Sequence, residues 1–131
     1  MTPASLPAFL IDTHVLLWLD EKPERISDHI LSLLCDPRHT VYCSAASLWE
    51  IAIKQSAGKL QIKSTLPSLL EQYGLTELPV TARNAELTRT LPMHHRDPFD
   101  RMLVAQAMAE QLVLISADRQ MLAYEVAILS C

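Results

Sequence analysis

Glycine is scarce in this chain of 131 residues, which contains only 2 glycines. An all-β sandwich with many tight turns needs more of them, so this composition favours helices. A glycine-rich phosphate-binding loop is excluded for the same reason. Half of the residues are apolar and only 20% are charged, which leaves enough apolar surface for a sizeable core. We therefore expect one folded domain that spans residues 1–131.

Cysteines are few and odd in number, because the chain has only Cys35, Cys43 and Cys131. Their positions do not match the spacing of a metal site, so we interpret them as reduced thiols. Long apolar runs are also missing, since the run over residues 9–19 is interrupted by Asp12 and His14. This run is too short and too polar to span a membrane, and it lacks the flanks of a signal peptide. These features predict a cytoplasmic protein without membrane association.

An excess of positive charge is missing as well. The chain has 11 basic and 15 acidic residues, for a net charge of −4. This balance argues against tight, sequence-independent binding to a polyanion. The argument weakens if 4 carboxylates form one metal site, because the remaining acidic residues then equal the 11 basic ones. Bound cations would offset the charge of the site itself.

Apolar runs of strand length alternate with helical patterns along the chain. Strands are expected at residues 8–11, 41–43, 78–80, 113–116 and 126–129. Helices are expected at residues 15–19, 26–35, 45–57, 67–73 and 98–111, with a further helix after Thr81. Buried strands that alternate with helices indicate an α/β fold with a parallel sheet covered on both faces.

Two carboxylates follow predicted strands directly. Asp12 comes after residues 8–11, and Asp118 comes two residues after residues 113–116. Ligands bind at the carboxyl ends of parallel strands, so we expect these two side chains to share a site. The alternative for each is to cap the helix that follows, which is a common role for aspartate.

Glu50 and Asp100 are expected on helices. Glu50 completes the capping-box pattern that begins at Ser47, which is its structural interpretation. If Ser44 is the cap instead, Glu50 lies inside the helix on a small, apolar face, where a carboxylate needs a partner. Asp97 is explained as an N-cap, whereas Asp100 heads the core-facing stripe of the same helix. The alternative for Asp100 is to complement the helix dipole.

The joint pattern points to a metal site more strongly than any single acid does. Converging carboxylates repel one another unless cations hold them together, and a set of oxygen ligands favours Mg²⁺ or Mn²⁺ over zinc. Adjacent histidines rarely bind one ion, so we expect His94 and His95 in a solvated loop. Trp18 and Trp49 are expected in the core or in an interface.

Four segments together resemble a PIN domain, and in particular the VapC-like toxin ribonucleases of type II toxin–antitoxin systems. They are residues 10–19, residues 44–54 with Trp-Glu-Ile, residues 95–103 with Asp-Pro-Phe-Asp-Arg, and residues 114–118. The resemblance implies a three-layer α/β/α fold with a central, mostly parallel sheet. One departure is His14, where many relatives have asparagine.

The resemblance also implies an activity and its residues. It implies a Mg²⁺- or Mn²⁺-dependent endoribonuclease whose catalytic, metal-binding acids are Asp12, Glu50, Asp100 and Asp118. Basic residues close to these acids in sequence could hold RNA phosphates, although each could equally be a solvated surface charge: Lys54, Arg96, Arg101 and Arg119. The implied partners are a cognate antitoxin protein and a second copy of the chain, in a homodimer.

Two other interpretations of the sequence stay open. A phosphatase of the haloacid-dehalogenase type also begins with an acid after a strand, but it requires a second aspartate where this chain has His14. A non-catalytic PIN module would only bind RNA or a protein partner.

Overall fold

A parallel sheet of five strands forms the centre of the computed structural model, which describes residues 7–124 and 126–131. The strands lie in the order β3-β2-β1-β4-β5, and each described pairing is parallel. Their bounds are β1 (Phe9–Ile11), β2 (Val41–Ser44), β3 (Thr76–Leu78), β4 (Val113–Ser116) and β5 (Ile128–Ser130). The two sequence-distant strands β1 and β4 are therefore neighbours.

Six helices and two short 3-10 helices connect the strands within the described part of the chain. The helices are α1 (Thr13–Glu21), α2 (Asp28–Cys35), α3 (Ala45–Ser56), α4 (Leu66–Gln72), α5 (Ala82–Thr88) and α6 (Pro98–Glu110). The 3-10 helices are Pro23–Arg25 and Arg119–Ala123. Thr81 and Asp97 cap α5 and α6 as predicted, and Ser44, one of the two alternatives for α3, caps that helix. Gly58 and Gly74 have positive φ angles just after α3 and α4, where a side chain would be strained.

Apolar side chains fill a core on each face of the sheet. Alternate residues of a strand point to opposite faces, so Phe9 and Ile11 of β1 pack in one core and Leu10 packs in the other. The first core is closed by α1, α2, α4 and Ile51 of α3, and the second is closed mainly by α6. This arrangement confirms the expected α/β/α layers.

Two predicted strands are shifted. The third strand is Thr76–Leu78 rather than residues 78–80, because Pro79 has no backbone N–H for a strand ladder. The fifth strand is Ile128–Ser130 rather than residues 126–129. Trp49 is also not a core residue of this chain, since its side chain is 65% exposed on α3.

The structure bears on two expectations from composition. Cys35, Cys43 and Cys131 are free thiols, and Cys43 is buried. None of the helices within residues 7–124 and 126–131 is both long enough and apolar enough to cross a membrane.

Candidate active site

Asp12 lies at the carboxyl end of β1, at the edge where the neighbouring strand β4 also ends. Its side chain is only 2% exposed. Oδ1 accepts a hydrogen bond from the Val15 N–H at 2.8 Å, and Oδ2 accepts one from the Ser116 hydroxyl at 2.5 Å. The capping interpretation is therefore correct for Oδ1, while Oδ2 faces the end of β4.

Glu50 lies inside α3 and is 8% exposed. Ser44 caps this helix by accepting from the Ala46 N–H, so the capping-box interpretation of Glu50 is wrong. Instead, Oε1 of Glu50 accepts a hydrogen bond from the Thr13 hydroxyl at 2.7 Å. Oε2 forms an ion pair with Lys54, one turn further along, at 3.1 Å. Thr13 follows Asp12 in sequence, so this contact brings the second acid next to the first.

His95 joins the remaining two acids. Its Nε2 atom lies 3.0 Å from Oδ2 of Asp100 and 2.7 Å from Oδ2 of Asp118. One ligand atom from each of these three residues lies within 4.8 Å of the other two. The predicted loop is present and His94 is exposed in it, but the expected solvation of His95 is wrong, since only 11% of its side chain is exposed.

Three short polar side chains thus link the four acids into one cluster. Thr13 reaches Glu50, and His95 lies between Asp100 and Asp118. The Ser116 hydroxyl donates to Asp12 and accepts from the Asp118 N–H at 3.0 Å. Among the described residues, the group whose ligand atoms all lie within 4.8 Å of one another consists of His95, Asp100 and Asp118, and Asp12 and Glu50 are connected to it through Ser116 and Thr13.

Negative charge is concentrated at Asp100. Burial raises the pKa of this carboxyl to about 6, and the charges of Asp97, Asp12 and Glu50 act in the same direction. The His95 ring opposes these effects but does not cancel them. Burial and the charges of the neighbouring acids together therefore outweigh the effect of His95 on the pKa of Asp100.

The two aspartates at the strand ends differ in their surroundings. Burial raises the pKa of Asp12 above its ordinary value, although hydrogen bonds from Ser116 and Val15 work against it. Burial acts the same way on the pKa of Asp118. There, hydrogen bonds from the Gln120 N–H and from His95 outweigh it and hold the pKa below its ordinary value.

Replacing Asp100 with asparagine should stabilise the protein in the absence of divalent metal at neutral pH. Below its ordinary pKa of 3.8 the carboxyl is protonated in both the folded and the unfolded state, so it has no effect. Above a pKa of about 6 it is ionised in both states, and the folded state bears the full cost of the buried charge. The stability of the wild type should therefore fall as the pH rises between these two values.

The asparagine variant should lack this fall. Since the Asp100 side chain is 20% exposed, we expect a gain of about 1–2 kcal/mol at neutral pH. Urea unfolding with EDTA from about pH 4 to about pH 8 measures it. Equal stability of the two proteins at neutral pH would contradict the prediction.

The basic residues singled out from the sequence occupy different environments. Lys54 is 40% exposed and paired with Glu50, while Arg96 and Arg119 are exposed next to the loop and the 3-10 helix that present acids. The Arg101 guanidinium instead donates to the backbone carbonyls of residues 88, 91, 92 and 95 and to the Tyr124 hydroxyl. These contacts favour a structural role for Arg101 over binding of RNA phosphates.

Sequence reasoning missed the residues that connect the acids. Ser116 is the one polar residue of β4, placed at its end, and Thr13 directly follows Asp12, so both positions carried a local signal. His95 carried none, because it lies in an irregular segment whose path depends on Arg101 and Tyr124. The chemistry of this donor set fits a hard divalent cation, since carboxylate oxygens predominate and crowd one another.

Comparison with known proteins gives one family match. The sequence profile of the PIN domain matches residues 9–127. No curated protein matches the chain in sequence.

Solved structures with the same fold include several toxin–antitoxin complexes. VapBC2 from Rickettsia felis, bound to a DNA fragment from their promoter, has a TM-score of 0.72 and 16% identity over 94% of this chain and 98% of that chain. DNA-bound VapBC from Salmonella typhimurium has a TM-score of 0.67 and 18% identity, over 95% and 98% of the chains. VapBC-5 from Mycobacterium tuberculosis has a TM-score of 0.61 and 20% identity, over 96% and 100%.

Sequence profile and fold agree with each other. The profile covers the four acids and the strands β1 to β4, and it ends just before β5. The match to the PIN domain also argues against a phosphatase of the haloacid-dehalogenase type. That family requires a second aspartate at the position of His14. The expected three-layer fold is present, with Asp12 and Asp118 after the carboxyl ends of β1 and β4. On these grounds, the chain belongs to the PIN domain family.

Proposed function

We propose that this protein is a metal-dependent endoribonuclease that acts as the toxin of a type II toxin–antitoxin pair. The observation that carries the proposal is the convergence of Asp12, Glu50, Asp100 and Asp118 on one edge of a PIN-domain sheet. A purely structural cluster would neutralise these charges with lysine or arginine. Here Lys54 is the one basic side chain that forms an ion pair with any of the four, among the described residues, apart from His95.

The four acids form two pairs in the proposed site. Asp12 and Asp100 are the main metal ligands, and Glu50 and Asp118 complete the site directly or through water. Mg²⁺ or Mn²⁺, when bound there, supplies an activated water and stabilises the leaving oxygen of the phosphodiester. Thr13, Ser116 and His95 restrict the rotation of the carboxylates that they contact.

Phosphates of the RNA need cations outside the acidic cluster. Lys54, Arg96 and Arg119 are the proposed contacts. Lys54 pairs with Glu50, Arg96 and Arg119 directly follow His95 and Asp118 in sequence, and all three are at least partly exposed. Arg101 is left out of this set because backbone carbonyls already occupy its guanidinium.

Two protein partners belong to the proposal. The similar complexes named above pair a toxin with an antitoxin, and an antitoxin segment that covers the acids would keep this protein inactive. A second copy of the chain would cover the apolar groove beside α3 and α6. The Trp49 and Phe99 rings meet there with their centroids 5.6 Å apart. Exposed apolar patches of this kind commonly mark protein interfaces.

A cleavage assay tests the activity. The purified full chain is incubated with total bacterial RNA in Mg²⁺, in Mn²⁺ or in EDTA, and the new RNA ends are mapped by sequencing. We expect discrete cuts with either metal and none in EDTA. Induced expression should also arrest bacterial growth. RNA binding without cleavage in either metal would favour the non-catalytic PIN module instead.

Divalent metal should also stabilise the fold, because it binds the folded site and not the unfolded chain. At a Mn²⁺ concentration about 100 times its Kd, the gain is about 2.7 kcal/mol, which raises the melting temperature by roughly 5–10 °C. EDTA should reverse the increase. Asp28→Asn, which changes an exposed acid at the start of α2, should respond like the wild type, and Asp12→Asn should respond far less. An equal increase in melting temperature in all three proteins would show that the metal binds outside this site.

A further inference from the structure

We propose that His95 is a positioning residue of this site, whose Nε2–H holds the Asp118 carboxylate facing Asp100. The inference rests on the proposed function, because it assigns a role within the same metal-dependent nuclease site. It departs from the expectation of a solvated loop, and it concerns a side chain that is not one of the four acids.

The hydrogen bonds of the ring identify its tautomer. The Asp97 N–H points at Nδ1 of His95 at 3.1 Å, so Nδ1 accepts and carries no proton. The ring proton is therefore on Nε2, which donates to Oδ2 of Asp118 at 2.7 Å and lies 3.0 Å from Oδ2 of Asp100. In this tautomer Nε2 donates to a carboxylate and would have to lose its proton before it could bind a metal ion, so we assign His95 to the carboxylates.

The ring is held in place through its own backbone. The His95 N–H donates to the Tyr124 hydroxyl at 3.0 Å, and the Arg101 guanidinium donates to the carbonyl of Pro92, three residues earlier, at 3.0 Å. Tyr124 is buried in the second core. These contacts anchor the irregular segment before α6 to the body of the protein. The imidazole thus enters the site already oriented, which limits the entropy that positioning would cost.

Asp118 is the acid that needs such a partner most. It caps a 3-10 helix of only five residues, and its side chain is 35% exposed. Oδ1 accepts from the Gln120 N–H, which leaves Oδ2 to face the site. Asp12 and Glu50 have their own hydroxyl donors in Ser116 and Thr13. His95 supplies the corresponding donor for Asp118, and metal-bound carboxylates generally depend on such hydrogen bonds.

Two substitutions distinguish the role of Nε2 from the role of Nδ1. Glutamine can place an amide N–H near the position of Nε2, so His95→Gln keeps the donor to Asp118 and loses the acceptor for the Asp97 N–H. Asparagine can place its oxygen near Nδ1, so His95→Asn keeps that acceptor and is too short to reach Asp118. A role in folding the segment predicts that glutamine is the worse replacement. A positioning role predicts the reverse.

The expected result is a loss of kcat in His95→Asn of about 10–100-fold, with a comparable loss of Mn²⁺ affinity by calorimetry and little change in KM for RNA. His95→Gln should stay within about threefold of the wild type in both quantities, well inside the 10–100-fold loss expected when such a contact is removed. Ring nitrogen chemical shifts of the metal-free wild type, measured by NMR, should show Nε2 protonated and Nδ1 not. This measurement needs neither activity nor a substituted protein.

Three outcomes overturn the inference. Wild-type kcat and Mn²⁺ affinity in His95→Asn would show that the donor is dispensable. Equal losses in both variants would point to His95 as a direct metal ligand, since neither amide replaces an imidazole in that role. A protonated Nδ1 would contradict the tautomer. Failure of the proposed function looks different, because the wild type would then cut no RNA while the calorimetric and NMR results still decide the role of His95.

Discussion

Asp12→Asn is expected to lower metal-dependent RNA cleavage by more than about 100-fold, since loss of a contact to a metal ligand already costs about 10–100-fold. The asparagine oxygen can still accept from the Val15 N–H and cap α1, so the helix keeps its start. What disappears is the negative charge at the most buried acid of the cluster. Because burial raises the pKa of Asp12, a neutral amide removes a desolvation cost, and the variant should be no less stable than the wild type.

The measurement compares initial cleavage rates in Mn²⁺ and the growth of cells that express each protein. Thermal unfolding in EDTA establishes that the variant is folded. Asp28→Asn is the matched control, because it removes one exposed carboxylate from α2 by the same chemical change and should cleave like the wild type. Equal cleavage rates of Asp12→Asn and the wild type would contradict the assignment of Asp12 to the metal site.

Arg101→Met is expected to destabilise the protein by about 2–4 kcal/mol, which corresponds to a melting temperature lower by roughly 10 °C. The guanidinium donates to carbonyls on both sides of the turn after α5, at 2.8 Å to Thr88 and 3.0 Å to Pro92, and to further acceptors at His95 and Leu91. Methionine keeps much of the apolar stem but leaves these partly buried carbonyls without donors. The segment that presents His95 should then lose its fixed path.

Arg119→Met is the control for this substitution. Arg119 is exposed, so its replacement should change stability by less than about 0.5 kcal/mol and weaken RNA binding if the residue contacts phosphate. Urea unfolding and RNA binding at two salt concentrations separate the two effects. A stable Arg101→Met protein that has lost only RNA affinity would restore the phosphate-binding role expected from the sequence.

Sequence patterns were sufficient for the layers of the fold and for the position of Asp12 and Asp118 after the ends of two strands. Apolar runs of strand length ending in Asp12 and near Asp118 placed both residues at one edge of a parallel sheet, and that edge is where the structure has them. Helix starts at Thr81 and Asp97 followed from capping chemistry, which depends on three or four neighbouring residues. Local information of this kind is present in any single sequence.

Patterns did less well where two local interpretations competed. Glu50 fits a capping box as closely as a helix interior, and only the observed cap at Ser44 decides between them. Arg101 is close to Asp100 in sequence, which favoured a role at the substrate. Its side chain instead turns towards the carbonyls of the α5–α6 connection. The direction of a long side chain depends on acceptors that no window of sequence contains.

The sequence by itself determined which residues carry negative charge at the ends of the strands, because strand period, capping and helix spacing are short-range properties. Only the tertiary structure decided how those charges are held. Ser116 reaches Asp12 across 104 positions of the chain, Thr13 reaches Glu50 across 37, and His95 reaches Asp118 across 23. Such contacts arise when packing of the sheet and its two helical layers brings distant segments within hydrogen-bonding distance, and local sequence patterns do not encode them.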